Sequence, residues 1–407
     1  MWLLVLVLVT QSAPAQPPEI EAQGLKALDN RDYAGAAALF SQAIAADPKD
    51  YSAHFNLGLA YSMLHRDAEA IPEYKTVLEL HPGLYEAELN LGILLLRTND
   101  AAGAVSQLQR AAEQKPKEFR PQFYLGEALF ANRQFAEAET AYRAALGLDS
   151  GSAAAQLGLG RAVARQGRRA EAEALYRKAA ALDPAERNAL LELGELYEEN
   201  RQTAEAIAIY REFSDNPGAQ ERLGALLLES GHAAEAVAPL EFAVAKSPTP
   251  ANKLALAQAY AREKQPAKAE SLAADALAAA PDDLGLRLFY ARLLRDERKF
   301  PQAAAQFLTV AQKKPDSAEA WTELSGIYMV SEDYAQALAA LDRVKALGAE
   351  NPGHWFVRAV CFDHLRQAKE ALENYNKFLA ASHGEHPDQE FQARQRVRIL
   401  ERETGKR

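Results

Sequence analysis

Two imidazoles and two carboxylates crowd one short stretch near the C-terminus: His383, Glu385, His386 and Asp388. Such side chains can ligate a divalent metal. A turn ahead of a final polar helix accounts for them more simply, and no metal is expected there. Gly158-Leu159-Gly160 opens like a phosphate-cradling loop, but the third glycine is absent and no strand-like segment precedes it. Close helix packing is the better explanation. The single cysteine, Cys361, sits beside Phe362 at helical spacing from other apolar residues, as a buried structural thiol would. No G-x-x-x-x-G-K-[ST], G-x-S-x-G or H-E-x-x-H occurs. The residues capable of chemistry form no catalytic constellation, so neither catalysis nor a cofactor is expected.

Composition narrows the remaining classes. The chain has 407 residues, 46 Lys+Arg against 56 Asp+Glu, and a net charge of -10. That acidity argues against nucleic acid or an anionic membrane as partner, since both call for a dense basic surface. No apolar run reaches the roughly 18 residues that suggest a membrane span, so stable membrane insertion is not expected. Residues Trp2 to Val9 are all apolar, and Ala13-Pro14-Ala15 follows. This reads as a secretory signal over 1–15, cut before Gln16, although no Lys or Arg precedes Lys26. The expectation is an exported, periplasmic or secreted protein.

The elements that would position any site come from an internal repeat. One alanine recurs as Ala36, Ala70, Ala104, Ala138, Ala172, Ala206, Ala236, Ala269, Ala303, Ala337 and Ala371. The step is 34 except for 30 after Ala206 and 33 after Ala236. Twelve residues earlier stands a small residue, such as Gly58, Gly92 or Gly160, and twelve later often a proline, such as Pro82. A fixed period of this length marks a solenoid. Within 51–84, Phe55, Leu57 and Tyr61 lie on a first helix, A. Asp67 begins a second, B, with Ala70, Tyr74 and Val77 on one stripe, and Pro82 ends it. Gly58 and Ala70 are expected where the two helices cross. Pro72 and Pro239 fall inside B helices, where each removes a hydrogen bond.

These residues resemble the tetratricopeptide repeat family, whose unit is a 34-residue helix–turn–helix. Leu57-Gly58, Tyr61, Ala70, Tyr74 and Pro82 stand at its signature positions, as do Leu193-Gly194, Tyr197, Ala206 and Tyr210, and Trp321, Leu324, Tyr328 and Ala337. The resemblance implies an all-α right-handed solenoid of about eleven repeats over 16–386, then a C-terminal capping helix and tail over 387–407. Irregular junctions are expected near 214–218 and 247–250. It also implies a protein or peptide partner held on the face lined by A helices.

With each unit numbered from its first residue (Tyr51 in the second), positions 2, 5, 9, 12 and 13 are those that would face the partner. In units two to four these positions supply Leu59, Met63, Ile93, Leu96 and Phe130, with Phe55, Leu89 and Phe123 beside them. These eight are the candidate apolar patch. Further on come Arg161 and Arg165, then Glu195, Glu198 and Glu199, then Arg262, Arg292 and Arg295. The family's clamp for a partner's C-terminal carboxylate is not evident, because Asn56 and Asn90 lack basic neighbours. The expected role is a non-catalytic scaffold that assembles or recruits cell-envelope machinery. The alternative is a regulatory or substrate-recognition subunit of a separately encoded peptidase or glycosyltransferase.

Overall fold

The computed structural model describes residues 19–405. The expected signal segment therefore lies outside the described residues, as do the last two residues of the tail. Among the described residues the regular elements are α-helices and one 3-10 segment.

The helices come in antiparallel pairs, A then B. They are α1 (Glu19–Asp29) with α2 (Tyr33–Ala46), α3 (Tyr51–Met63) with α4 (Asp67–Leu80), and α5 (Tyr85–Arg97) with α6 (Ala101–Gln114). Next are α7 (Phe119–Ala131) with α8 (Phe135–Leu148), α9 (Ala153–Arg165) with α10 (Arg169–Leu182), and α11 (Leu190–Glu199) with α12 (Thr203–Arg211). The series continues with α13 (Pro217–Glu229) and α14 (Ala233–Lys246), α15 (Pro250–Arg262) and α16 (Pro266–Ala279), then α17 (Leu284–Asp296) and α18 (Phe300–Lys313). It ends with α19 (Ala318–Val330) and α20 (Tyr334–Ala346), α21 (Pro352–His364) and α22 (Ala368–Ala381), and the single helix α23 (Pro387–Thr404). This is the all-α solenoid of eleven pairs and a C-terminal helix that the repeat implied. The chain divides into two compact units between Ile209 and Tyr210, inside α12 and just ahead of the 214–218 junction.

In the first unit the two helix types have different surroundings. In α3, ten of thirteen residues are buried, and in α5 eleven of thirteen. In α4 only Ala70, Tyr74 and Val77 are buried. A helices are covered by their own B helix and by the neighbouring pairs, whereas B helices keep an exposed side. The repeated glycine of α1, α3, α5, α7 and α9 has a specific partner on the paired B helix. A Cβ on Gly58 would come within 3.1 Å of the Tyr74 ring, and one on Gly92 within 2.5 Å of Leu108. Ala70 was the expected neighbour of Gly58. The close approach is instead to the bulky residue one turn further along helix B, so the glycine makes room for a side chain. Gly158 and Gly160 have the same explanation: their Cβ positions fall 2.5 Å from Tyr142 and 2.9 Å from Tyr176.

Turns repeat as faithfully as helices. Each A–B turn contains one residue with positive φ, at Arg31, His65, Asn99, Arg133, Gly167 and Arg201 in the first unit. The second unit repeats it at Gly231, Lys264, Arg298, Glu332 and Arg366. Prolines follow the B helices one residue past the cap, as at Pro48, Pro82 and Pro116, where they stop the helix. At Ser150, where the proline is missing, the Asp149 carboxylate accepts the Gly151 N–H at 3.0 Å and shapes the turn. Helices α4 and α14 run continuously through Pro72 and Pro239.

The carbonyls of these loops are held by the fourth residue of the next A helix. His54 Nε2 lies 3.2 Å from the Pro48 carbonyl, and Trp321 Nε1 donates to that of Pro315 at 3.0 Å. His54 Nδ1 also meets Glu73 at 2.5 Å, so the histidine in the usual tryptophan position joins a loop to helix B. The short sixth pair begins with a 3-10 segment, Pro184–Ala189, started by Asp183, whose carboxylate accepts the Ala185 N–H. Its helices α11 and α12 have only ten and nine residues.

Candidate partner-binding surface

The eight candidate apolar residues do not form one surface. Phe55, Leu59, Leu89, Ile93 and Leu96 are all buried. Phe55 meets the Tyr74 ring edge-on at 5.4 Å, and Leu59 belongs to a core cluster with Leu28, Phe40 and Leu57. Position 5 of α3 and α5 packs, and so do Leu59 and Ile93 at position 9 and Leu96 at position 12, which corrects the expectation that these last three are surplus surface. Asn56 and Asn90 are buried with them, and Asn90 Nδ2 donates to the Tyr74 hydroxyl at 3.3 Å.

Three of the eight keep partial exposure. Met63 stands at the edge of the Leu59 cluster. Phe123 stacks on Phe119 at 5.5 Å and turns an edge to Tyr124. Phe130, at the C-terminal end of α7, leans on Phe135 at 5.4 Å and leaves its other side open.

That open side borders a cleft of about 240 Å³ between α7, α9 and α11. Phe130 and Leu196 supply its apolar walls, and buried Tyr176 lies beneath. Arg161 spans from α9 to α11, giving Nε and Nη2 to the two carboxylate oxygens of Glu192 at 2.8 and 2.5 Å. The bond to Glu192 raises the Arg161 pKa further. Arg165, Glu195 and Glu199 border the same cleft, are exposed, and form no ion pair or hydrogen bond with any described residue. Behind the wall, Glu127 accepts the Tyr142 hydroxyl at 2.5 Å, and burial pushes the Glu127 carboxyl upward.

In the second unit the charges expected to face a partner are largely paired among themselves. Arg292 contacts Glu319 and lies 3.6 Å from Glu323, and Arg295 also reaches Glu323. Arg262 donates to the Leu228 carbonyl. Two exposed apolar residues there were not singled out from the sequence: Val330, 55% exposed, and Phe391, 64% exposed. Val330 occupies position 13 and was within reach of the numbering. Phe391 sits on α23, which read as a polar cap. It borders a second cleft of about 570 Å³ with Phe356, Val360 and Tyr375, beside the Arg396–Asp363 ion pair.

The residues considered for chemistry have structural roles. Cys361 is buried, which pushes its thiol up to about 11 and leaves little nucleophilic thiolate near neutral pH. His383 and Gly384 have positive φ in a tight turn, where Glu390 accepts from the Ser382 hydroxyl and the Gly384 N–H. Among the described residues no three His, Cys, Asp or Glu side chains are grouped so as to hold a metal ion. None of the described helices is long and apolar enough to cross a membrane.

Comparison with known proteins agrees with the repeat. A tetratricopeptide repeat family model matches residues 21–85, 64–119, 89–155, 123–186, 157–219, 291–353 and 328–386. The chain belongs to the tetratricopeptide repeat family. Helices α14–α16 lie in the stretch between 219 and 291 that the model passes over, yet they continue the same pairing. No curated protein matches. Among solved structures, "MamA AMB-1 P212121" is 26% identical at a TM-score of 0.39, covering 41% of this chain and 99% of that one. "MamA MSR-1 C2" is 24% identical at 0.39, covering 41% and 95%. YrrB, described as a TPR protein with an unusual peptide-binding site, is 22% identical at 0.39, covering 40% and 85%.

Proposed function

We propose that this tetratricopeptide repeat protein is a non-catalytic scaffold that binds a polypeptide partner on its A-helix face, and that it does so in the cell envelope. The observation that carries the reading is the cleft between α7, α9 and α11. It combines half-exposed Phe130 and Leu196 with three charged side chains that have no partner within the described chain. An apolar anchor with polar groups at its rim is the arrangement by which protein surfaces hold a peptide. Envelope localisation draws its support from the Trp2–Val9 apolar run and Ala13-Pro14-Ala15.

The site is tested with a displayed random-peptide library selected against the whole chain. Selected peptides are then measured against a Phe130→Ser, Leu196→Ser variant. Removing two partly exposed anchors should weaken binding by about tenfold or more, each such side chain contributing on the order of 1 kcal/mol. Equal binding by parent and variant would move the site elsewhere, and failure to select any peptide would count against the scaffold itself. Export is tested by sequencing the N-terminus of the protein recovered from the periplasm, with Gln16 expected first.

A further inference from the structure

We infer that the cleft between α7, α9 and α11 selects a polypeptide segment presenting an apolar side chain next to a lysine or arginine. This deepens the scaffold reading and rests on it.

The charges around the cleft decide its preference. Arg161 and Glu192 neutralise each other through a two-bond contact. What remains is one cation, Arg165, against two carboxylates, Glu195 and Glu199. The two carboxylates are one helical turn apart on α11, so they repel each other, and neither has a cation of this chain to relieve it among the described residues. A partner's ammonium or guanidinium placed between them supplies that cation.

The chain also shows how a cation is received on this face. Arg161 reaches Glu192, on the same helix as Glu195 and Glu199, with a planar fork across both carboxylate oxygens. A partner arginine would repeat that contact one turn further along. Leu196 lies between the two free carboxylates in sequence, and Phe130 stands across the cleft. An apolar residue adjacent to the partner's basic one is therefore met by an apolar wall. Arg165 is left to take a partner carbonyl or carboxylate on the other rim. A partner with acidic side chains in place of the basic one would bring like charges to Glu195 and Glu199, and such juxtaposition is how interfaces reject wrong partners.

The test uses the whole chain and three families of fluorescein-labelled peptides. All share one scaffold of Leu and Ser, with Lys, Gln or Glu at the positions beside Leu. Binding is followed by anisotropy, at low and at raised salt. The Lys family should bind about tenfold more tightly than the Gln family, with the Glu family weakest, and the preference should shrink as salt screens it. A Glu195→Gln, Glu199→Gln variant should abolish the preference. A Glu195→Lys, Glu199→Lys variant should turn it toward the Glu family. Both side chains are exposed on the surface of α11, and circular dichroism melting confirms that the variants stay folded. Equal binding of all families, or preference for Glu peptides by the parent, would overturn the inference and leave the scaffold reading standing. Binding of no family would overturn both.

Discussion

Tyr142 is held between two glycines, Gly126 on its own A helix and Gly158 on the next, with its hydroxyl given to Glu127. The ring is buried, so it has no solvent side to move into when a Cβ is added. Gly158→Val should cost about 3 kcal/mol through overpacking, read as a lower urea midpoint in helical circular dichroism. Gly326 provides the contrast: it lies inside α19 with nothing within 4 Å of an added Cβ. Gly326→Ala should therefore stabilise by about 1 kcal/mol, the ordinary helix-propensity gain. Glu21 makes a pH-dependent case. Burial in α1, with Asp50 and Asp47 nearby, lifts its carboxyl from 4.5 to about 7. The folded chain then holds this proton more tightly than the unfolded chain does. The stabilisation is full below the ordinary carboxylate range and is lost as pH rises through about 7. Hydrogen exchange of α1, corrected for intrinsic rate, should show less protection at ~pH 8 than at ~pH 5, and Glu21→Gln should remove the difference. Constant protection in the parent would refute the assignment.

At the level of elements, the A–B turns all use one left-handed residue, yet only Gly167 and Gly231 are glycine there. Arg298 is exposed at φ 61, its side chain forms no hydrogen bond or ion pair with a described residue, and it carries the cost that a Cβ imposes in that region. Arg298→Gly should stabilise by about 0.5–1 kcal/mol, and Gly231→Ala should destabilise by a similar amount, both read from urea unfolding. Failure of either sign would mean that another interaction governs the turn. The turn positions were legible because the alanine phase places them, but their backbone conformation was not, because arginine or glutamate gives no hint of positive φ. The candidate surface divides along the same line. Helix pairing follows from local spacing, so the pairs from Ala36 to Ala371 could be read directly. Which stripe of an A helix stays open depends on how the neighbouring pairs cover it. Leu59, Ile93 and Leu96 are therefore core, whereas Phe130, which holds the same position 12 as Leu96, is half-exposed. The unpaired state of Arg165, Glu195 and Glu199 likewise needed three-dimensional neighbours, since Arg161 and Glu192 look no different in sequence.

For the molecule as a whole, a solenoid's stability is approximately a sum of each repeat's own stability and its contacts with the next. The sixth pair is weak by the first of these terms. Its helices span ten and nine residues, where most others have thirteen or fourteen, and its first turn is 3-10. Short helices are marginal alone, because nucleation is offset by few propagating hydrogen bonds. Seen from either end, the residues from Pro184 to Phe213 are where an array of otherwise regular pairs should open first. Hydrogen exchange of the whole chain is therefore expected to show the fastest internal opening in α11 and α12, with slower exchange in α5–α6 and α17–α18. The same opening would loosen Glu195 and Glu199, which α11 carries, and would release Arg161 on α9 from its contact with Glu192. A peptide bound to those carboxylates must hold α11 in its helical form, so binding and local stability are linked. Saturation with the Lys-family peptide should then slow exchange across α11 selectively, leaving α5–α6 unchanged. If exchange slows equally everywhere or not at all, the bound peptide is not on α11.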